Sequence, residues 1–282
     1  MKTKKLLLSI ASGGLAAIFL TATPVLADSP LFFDDFNGPT LNSAWQASLP
    51  NANIAFPIGV LGGPQSAAYQ GAPNYSFQTL GGNSVLRMTD SMSDLQRRGW
   101  SSSSTYNPSA FTYDVRFNTL IQSNTTSVDS FIEVWILDPT NPNRYDMVTL
   151  FGNSYSYDHQ FAVGSSIDNT FGSQAFNYQN NTWYHLVIQD LPGQDISVSL
   201  ENDSGNTLML QTLNHTEGAY ASGFEIALSQ GMGFPRGTYP SDVAVDYAKL
   251  TVVPEPSSMV LISAGLVCLC VAARRRSVKI KV

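Results

Sequence analysis

The chain has 282 residues, 43% hydrophobic and 13% charged, with a formal net charge of −6. That figure hides a split: eight of the 15 cations lie in residues 1–27 or after Ala273, so residues 28–256 carry seven cations against all 21 acidic side chains, a net charge of −14. Phosphate binding needs clustered cations, so this composition disfavours nucleic acid and anionic lipid as partners of that stretch, and its single lysine, Lys249, leaves no phosphate-cradling loop.

In chain order, residues 1–27 read as a signal peptide. Lys2, Lys4 and Lys5 precede an apolar stretch, 6–20, too short to span a bilayer and stay, and Val25 and Ala27 sit at the positions a signal peptidase must accommodate. The mature chain is expected to begin at Asp28. From there to residue 252, apolar residues alternate with period two between turn residues, and no 3.6-residue stripe runs for three turns, which predicts one all-β ectodomain. Strands are expected at 84–89, 111–118, 131–137, 147–151, 160–163, 183–189, 196–200, 208–213, 224–229 and 243–252, enough for a sandwich. The turn residues of 191–195 and 202–206 make 183–213 a three-stranded meander. The serine run 101–104 and the glycine-rich 59–82 read as surface loops.

The tail, 253–282, opens with Pro254, Glu255 and Pro256, and prolines stop a strand because they cannot donate to a ladder. Residues 257–273 carry no charge and are long enough, at about 1.5 Å per residue, to be read as a transmembrane helix across a slightly thinned bilayer. Arg274, Arg275 and Arg276 follow and are expected to stay cytoplasmic, leaving the ectodomain outside. Both cysteines, Cys268 and Cys270, fall inside the apolar segment, so the ectodomain has neither a disulfide nor a thiolate metal site.

This order of Pro-Glu-Pro triplet, apolar helix and arginine cluster resembles the PEP-CTERM sorting tails of Gram-negative bacteria. The resemblance implies recognition by an exosortase-like membrane transpeptidase after signal peptidase has acted. It also implies anchoring in the inner membrane during sorting, then residence in the envelope, at the outer surface or in the extracellular matrix. The six-residue extension 277–282 departs from the usual pattern.

Three ectodomain segments resemble concanavalin A-like jelly rolls of the laminarinase, glucanase and laminin G-like kind. Leu31-Phe32-Phe33-Asp34-Asp35-Phe36-Asn37-Gly38, with Trp45, looks like the opening; Thr182-Trp183-Tyr184-His185-Leu186-Val187-Ile188 looks like the central hairpin; Val245-Asp246-Tyr247-Ala248-Lys249-Leu250 looks like the closing strand. Paired first and last strands would bring Phe33, Phe36, Trp45 and Tyr247 into one core, and Trp183 is expected there too. The resemblance implies one structural calcium ion, with Asp34 or Asp35 and Asp246 as its side-chain ligands.

Glucanase relatives cut sugars with carboxylates in a Glu-x-Asp-x-x-Glu strand pattern, and this chain lacks it. In 131–138, Glu133 and Trp135 share a face while Asp138 falls on the other. Glu201, Glu217 or Glu225 are the candidates for a distant second carboxylate. His159, His185 and His215 have no metal-ligand spacing. Sugar binding calls for exposed rings beside polar groups, for which Trp100, Tyr106 and Trp135 with Glu133 are the candidates, although the apolar neighbours of Trp135 equally suit a core. The expectation is therefore an exported, non-enzymatic β-sandwich that binds or organises extracellular polysaccharide. The alternatives are an adhesive protein without a small ligand and a divergent glycoside hydrolase.

Overall fold

The computed structural model describes residues 30–49, 54–56, 65–69, 71–92, 96–120, 132–141, 144–153, 158–167, 170–179, 181–213, 220, 222–231 and 239–253. The signal peptide, Cys268 and Cys270, the apolar segment 257–273, Pro254, Glu255, Pro256 and Arg274 to Arg276 lie outside them, as do His215 and Glu217.

The described residues hold seventeen strands and no helix. In chain order they begin with β1 (Pro30–Asp34), β2 (Trp45–Gln46), β3 (Ile54–Phe56), β4 (Gln65–Tyr69), β5 (Asn74–Leu80) and β6 (Asn83–Met92). Then follow β7 (Gln96–Ser102), β8 (Phe111–Thr119), β9 (Ile132–Leu137), β10 (Tyr145–Asn153), β11 (Asp158–Ser165) and β12 (Thr170–Ala175). The last are β13 (Trp183–Asp190), β14 (Ile196–Asn202), β15 (Thr207–Leu213), β16 (Glu225–Gly231) and β17 (Tyr239–Val252). They form two sheets. The first runs β15-β14-β13-β8-β17-β6-β5 with β1 added on β17, and the second runs β12-β11-β10-β9-β16-β7-β4-β3 with β2 on β7. Pairing is antiparallel except between β4 and β7.

Alternation explains the first sheet. In β8, Phe111, Tyr113, Val115 and Phe117 are all at most 1% exposed and face the second sheet, while Thr112, Asp114 and Arg116 point the other way. Tyr184, Leu186 and Ile188 of β13 and Ile196, Val198 and Leu200 of β14 continue that inner face. Phe111 meets Phe224, which immediately precedes β16 of the opposite sheet, at 4.5 Å between ring centroids. Each fully buried side chain of this size contributes about 1.5–3 kcal/mol relative to exposure.

The second sheet is buried on both faces at β9. Ile132, Val134 and Ile136 join the core between the sheets; Glu133, Trp135 and Leu137 point away from it and are buried as well. The run 101–104, expected to be a loop, instead contains the end of β7, with Ser101 and Ser102 at 0% exposure. These serines can be buried because their hydroxyls are satisfied: that of Ser102 donates to the Ser104 carbonyl and accepts from the Ile226 amide. Part of 59–82 is likewise strand, β4 and β5.

The expected shared core of the end strands needs correction. Phe36 and Trp45 are buried in it, but Phe33 is 47% exposed and Tyr247 lies on the outer face of the first sheet. Phe32, one residue earlier, takes the inward place and packs edge-on against Trp45 at 4.9 Å. Trp183 also faces outward, under Arg116, and its neighbour Tyr184 is the core residue. In both cases consecutive aromatic residues left the phase of alternation open.

Gly99 of β7 sits against Ser229 of β16, where a Cβ would come within 2.5 Å of the Leu228 carbonyl oxygen and of the Ser229 Cβ. Gly99→Ala is expected to lower stability by about 1–3 kcal/mol, because backbone must move. Gly172→Ala, whose nearest neighbour is the flexible Gln211 side chain at 2.9 Å, should cost far less. Denaturant midpoints of the two variants check this contrast.

Candidate functional site

Two places gather polar side chains. The first is a cleft on β17. This strand pairs with β6 from Tyr239 to Val245 and with β1 from Ala248 to Thr251, both along one edge, while β8 runs along its other edge. Asp246 is an extra residue at the change of partner: Val245 faces Phe117 and Tyr247 faces Arg116, with no place in the register for Asp246. A bulge of this kind re-aims a side chain. Into the gap come Asp35 and Asn37, which follow β1, and Gly82, Asn83 and Ser84 from the β5–β6 turn. With Asp246 and Tyr247 they line a cleft of about 280 Å³.

Local geometry shapes each wall. Phe36 has a left-handed φ of 51°, and its carbonyl oxygen accepts a hydrogen bond from the Ser84 hydroxyl at 3.0 Å, joining the two segments. Gly81 and Gly82 have φ of 62° and 94°, a turn that disfavours other residues. Asp35 accepts hydrogen bonds from the amide and side chain of Asn37 at 3.3 and 2.6 Å. The structure thus brings Asp35 and Asp246 to one cleft. Asp34 is not among its lining residues: it is 7% exposed, its carboxylate accepts from Trp45 Nε1 at 2.8 Å and the Phe36 amide at 2.9 Å, and it fixes the framework.

The cleft offers oxygen donors without thiolate or imidazole, the set suited to a hard cation such as calcium. Among the described residues no three or more His, Cys, Asp or Glu converge as a metal site, so an ion here would draw on two carboxylates plus neutral oxygens.

Behind the cleft, the outer face of the first sheet carries a charged network. Arg116 Nη1 donates to Asp246 Oδ2 at 2.5 Å, Arg116 Nε donates to Asp203 Oδ1 at 2.8 Å, and the guanidinium carbon lies 4.3 Å from the centroid of Trp183. Next to it, His185 Nδ1 is 3.0 Å from Asp114 Oδ1, and the Tyr247 hydroxyl donates to Asp114 Oδ2 at 2.7 Å. Burial and then the Asp114 charge push the Tyr247 phenol well above its usual value. The hydrogen bond from Arg116 holds Asp203 below the usual carboxylate value. None of this was legible beforehand, since it depends on which strands become neighbours.

The second place is the face of the second sheet turned away from the core. The indole N–H of Trp135 donates to Ser229 Oγ at 2.9 Å, and the Ser229 hydroxyl donates to Glu133 Oε2 in a short hydrogen bond. Glu133, Trp135 and Ser229 are all 0% exposed. The expected sugar-stacking residues are therefore corrected. Trp135 presents no open ring; Trp100, 2% exposed, faces the core; and Tyr106 packs at the core margin against Phe32 and Phe224. The exposed ring near Trp100 is Tyr75, 44% exposed and edge-on to it at 5.3 Å. Nothing in the alternation of β5 marked Tyr75 in advance.

The His185 imidazole has its pKa raised above 6.5: burial opposes the charge, but the hydrogen bond and charge of Asp114 outweigh it, with Arg116 opposing and Asp203 adding. A raised folded value means that this contribution to stability is complete below about pH 6.5 and is lost as pH rises through the folded value. Replacing His185 by Gln should therefore lower the melting temperature by more at pH 5.5 than at pH 8.5, and thermal melts across that range check it.

Residues 252–276 match the PEP-CTERM protein-sorting motif, which indicates an exported, membrane-sorted envelope protein and implies exosortase-mediated processing. No curated protein matches the chain. Among solved structures, the CBM2 module of the evolved Dit of Lactobacillus casei BL23 phage J-1 is similar, with 14% identity and a TM-score of 0.55 over 80% of this chain and 97% of that one. An endo-1,3-β-glucanase from Streptomyces sioyaensis matches with 19% identity and a TM-score of 0.54 over 83% and 99%. A glycosyl hydrolase family protein from Mycobacterium fortuitum matches with 14% identity and a TM-score of 0.51 over 79% and 99%. At these identities the likeness is one of fold, an all-β sandwich of two sheets consistent with a jelly roll.

Proposed function

We propose that this chain is an exported, exosortase-sorted envelope protein whose β-sandwich binds extracellular carbohydrate without cleaving it and carries one calcium ion in the cleft on β17. The observation that carries the non-catalytic reading is the state of Glu133. A retaining glycosidase needs two carboxyl groups about 5 Å apart and an inverting one about 6.5–9.5 Å, both open to the sugar. Glu133 is fully buried and engaged by Ser229. The other glutamate on this face of β9 and β16, Glu225, pairs with Leu137, four residues along and so about 13 Å away at the backbone.

Carbohydrate as the ligand is supported by the glucanase and hydrolase among the similar structures and by an acidic ectodomain suited to neutral polymers. Tyr75 is the ring we assign to stacking, held by Trp100 beneath it. In the cleft, Asp35 and Asp246 would hold the ion, with the oxygens of Asn37 and Ser84 at hand. Its chemistry would be structural: a divalent charge that ties the segment after β1 to β17 and to the β5–β6 turn.

The test pairs binding with turnover. The full chain should be retained on immobilised β-glucan or a related neutral polysaccharide and release no reducing ends, and Tyr75→Ala should weaken retention by up to about tenfold. Reducing ends that appear with the native chain and vanish with Glu133→Gln would establish a hydrolase instead. Failure to bind any polysaccharide would favour an adhesive protein without a small ligand. For calcium, chelation should lower the melting temperature and added calcium should restore it; unchanged melting removes the ion from the account.

A further inference from the structure

The residue packed behind the cleft points to how its affinity for a cation is set. We propose that Arg116 is an internal counter-cation of the β17 cleft: it holds Asp246 while no ion is bound and yields that carboxylate to calcium, remaining moored on Asp203 and Trp183. This inference rests on the calcium reading above.

Three observations carry it. First, Arg116 reaches the one acidic side chain that the bulge turns into the cleft, at 2.5 Å, and both partners of this pair are only 15% exposed. A half-desolvated carboxylate between the cleft and a guanidinium cannot serve two cations fully. A unit positive charge a few ångströms from a divalent ion weakens its binding by roughly tenfold or more at the effective dielectric of a protein surface.

Second, the guanidinium has a second acidic partner that the cleft does not use. Asp203 takes its Nε at 2.8 Å and is half exposed. Its position is set by the β14–β15 turn, in which Asn202 Oδ1 accepts from the amides of Ser204 and Asn206 and Gly205 adopts a φ of 76°. Releasing Asp246 therefore does not strand a buried charge, the step that makes breaking most ion pairs costly.

Third, the flat face of the guanidinium lies on Trp183, 4.3 Å from the ring centroid. Stacking of this kind holds arginine independently of its hydrogen bonds. It accounts for a tryptophan on the outer face of β13 rather than in the core.

Arg116 and Asp203 make opposite predictions. Calorimetric titration of the full chain with calcium chloride should show tighter binding in Arg116→Gln by about tenfold, because the competing charge is gone. Asp203→Asn should bind more weakly, by about threefold, because Arg116 then relies on Asp246 alone. Asp246→Asn should abolish binding. If the native chain binds calcium and Arg116→Gln binds it no more tightly, or Asp203→Asn binds it no more weakly, the counter-cation role is overturned and the calcium site stands. If the native chain takes up no calcium, both fall. Far-UV circular dichroism and the melting curve of each variant separate lost affinity from lost fold.

Discussion

The structure depends on a change of partner along one edge of β17. A single fourteen-residue strand serves β6 with its first half and β1 with its second, while β8 follows the other edge across an extra residue. The change of partner leaves a gap between the end of β1 and the start of β6, the bulge against β8 takes Asp246 out of register on the opposite edge, and polar side chains from three segments line the cleft. β17 is also the strand that runs into the sorting motif at residues 252–276.

The same sheet turns its charge outward in an ordered way. β8 carries Asp114 and Arg116 two residues apart on its outer face, and each finds partners on both neighbouring strands: Asp114 takes His185 from β13 and Tyr247 from β17, while Arg116 stacks on Trp183 and bonds Asp246. Opposite charges alternating along one strand thus organise two others. The second sheet handles the buried Glu133 differently. Glu133 is met by a serine hydroxyl that is itself polarised by an indole N–H, a chain in which each bond strengthens the next. Gly99 lets the strands approach closely enough for it.

Much of the fold was legible in the sequence. All ten strands expected from alternation are present, since period-two patterning reports directly that one side of a strand meets apolar surface. Patterning is silent where both faces are alike. Leu31-Phe32-Phe33 and Trp183-Tyr184 could enter the core in either phase, and β7 and β5 hide in serine-rich and polar segments whose hydrogen bonds form only with distant partners. The site was legible in part. Asp35 and Asp246 follow from matching the end strands, but Asp34 and Asp35 could be told apart only once Trp45 and the Phe36 amide were seen to occupy Asp34. Trp100 and Trp135 look like ligand platforms on paper because tryptophan serves both roles; which role it takes is decided by what covers the strand, a non-local fact.

The ion proposed for the β17 cleft would secure β1 to the body of the sandwich. Hydrogen exchange measured with and without calcium addresses it at the right place. The account predicts slower exchange with calcium for the β1–β17 amides around Phe33 and Lys249 and for the β5–β6 turn, with β13 and β14 unchanged. Equal exchange at β1 in both conditions, or a change spread evenly over both sheets, would contradict it.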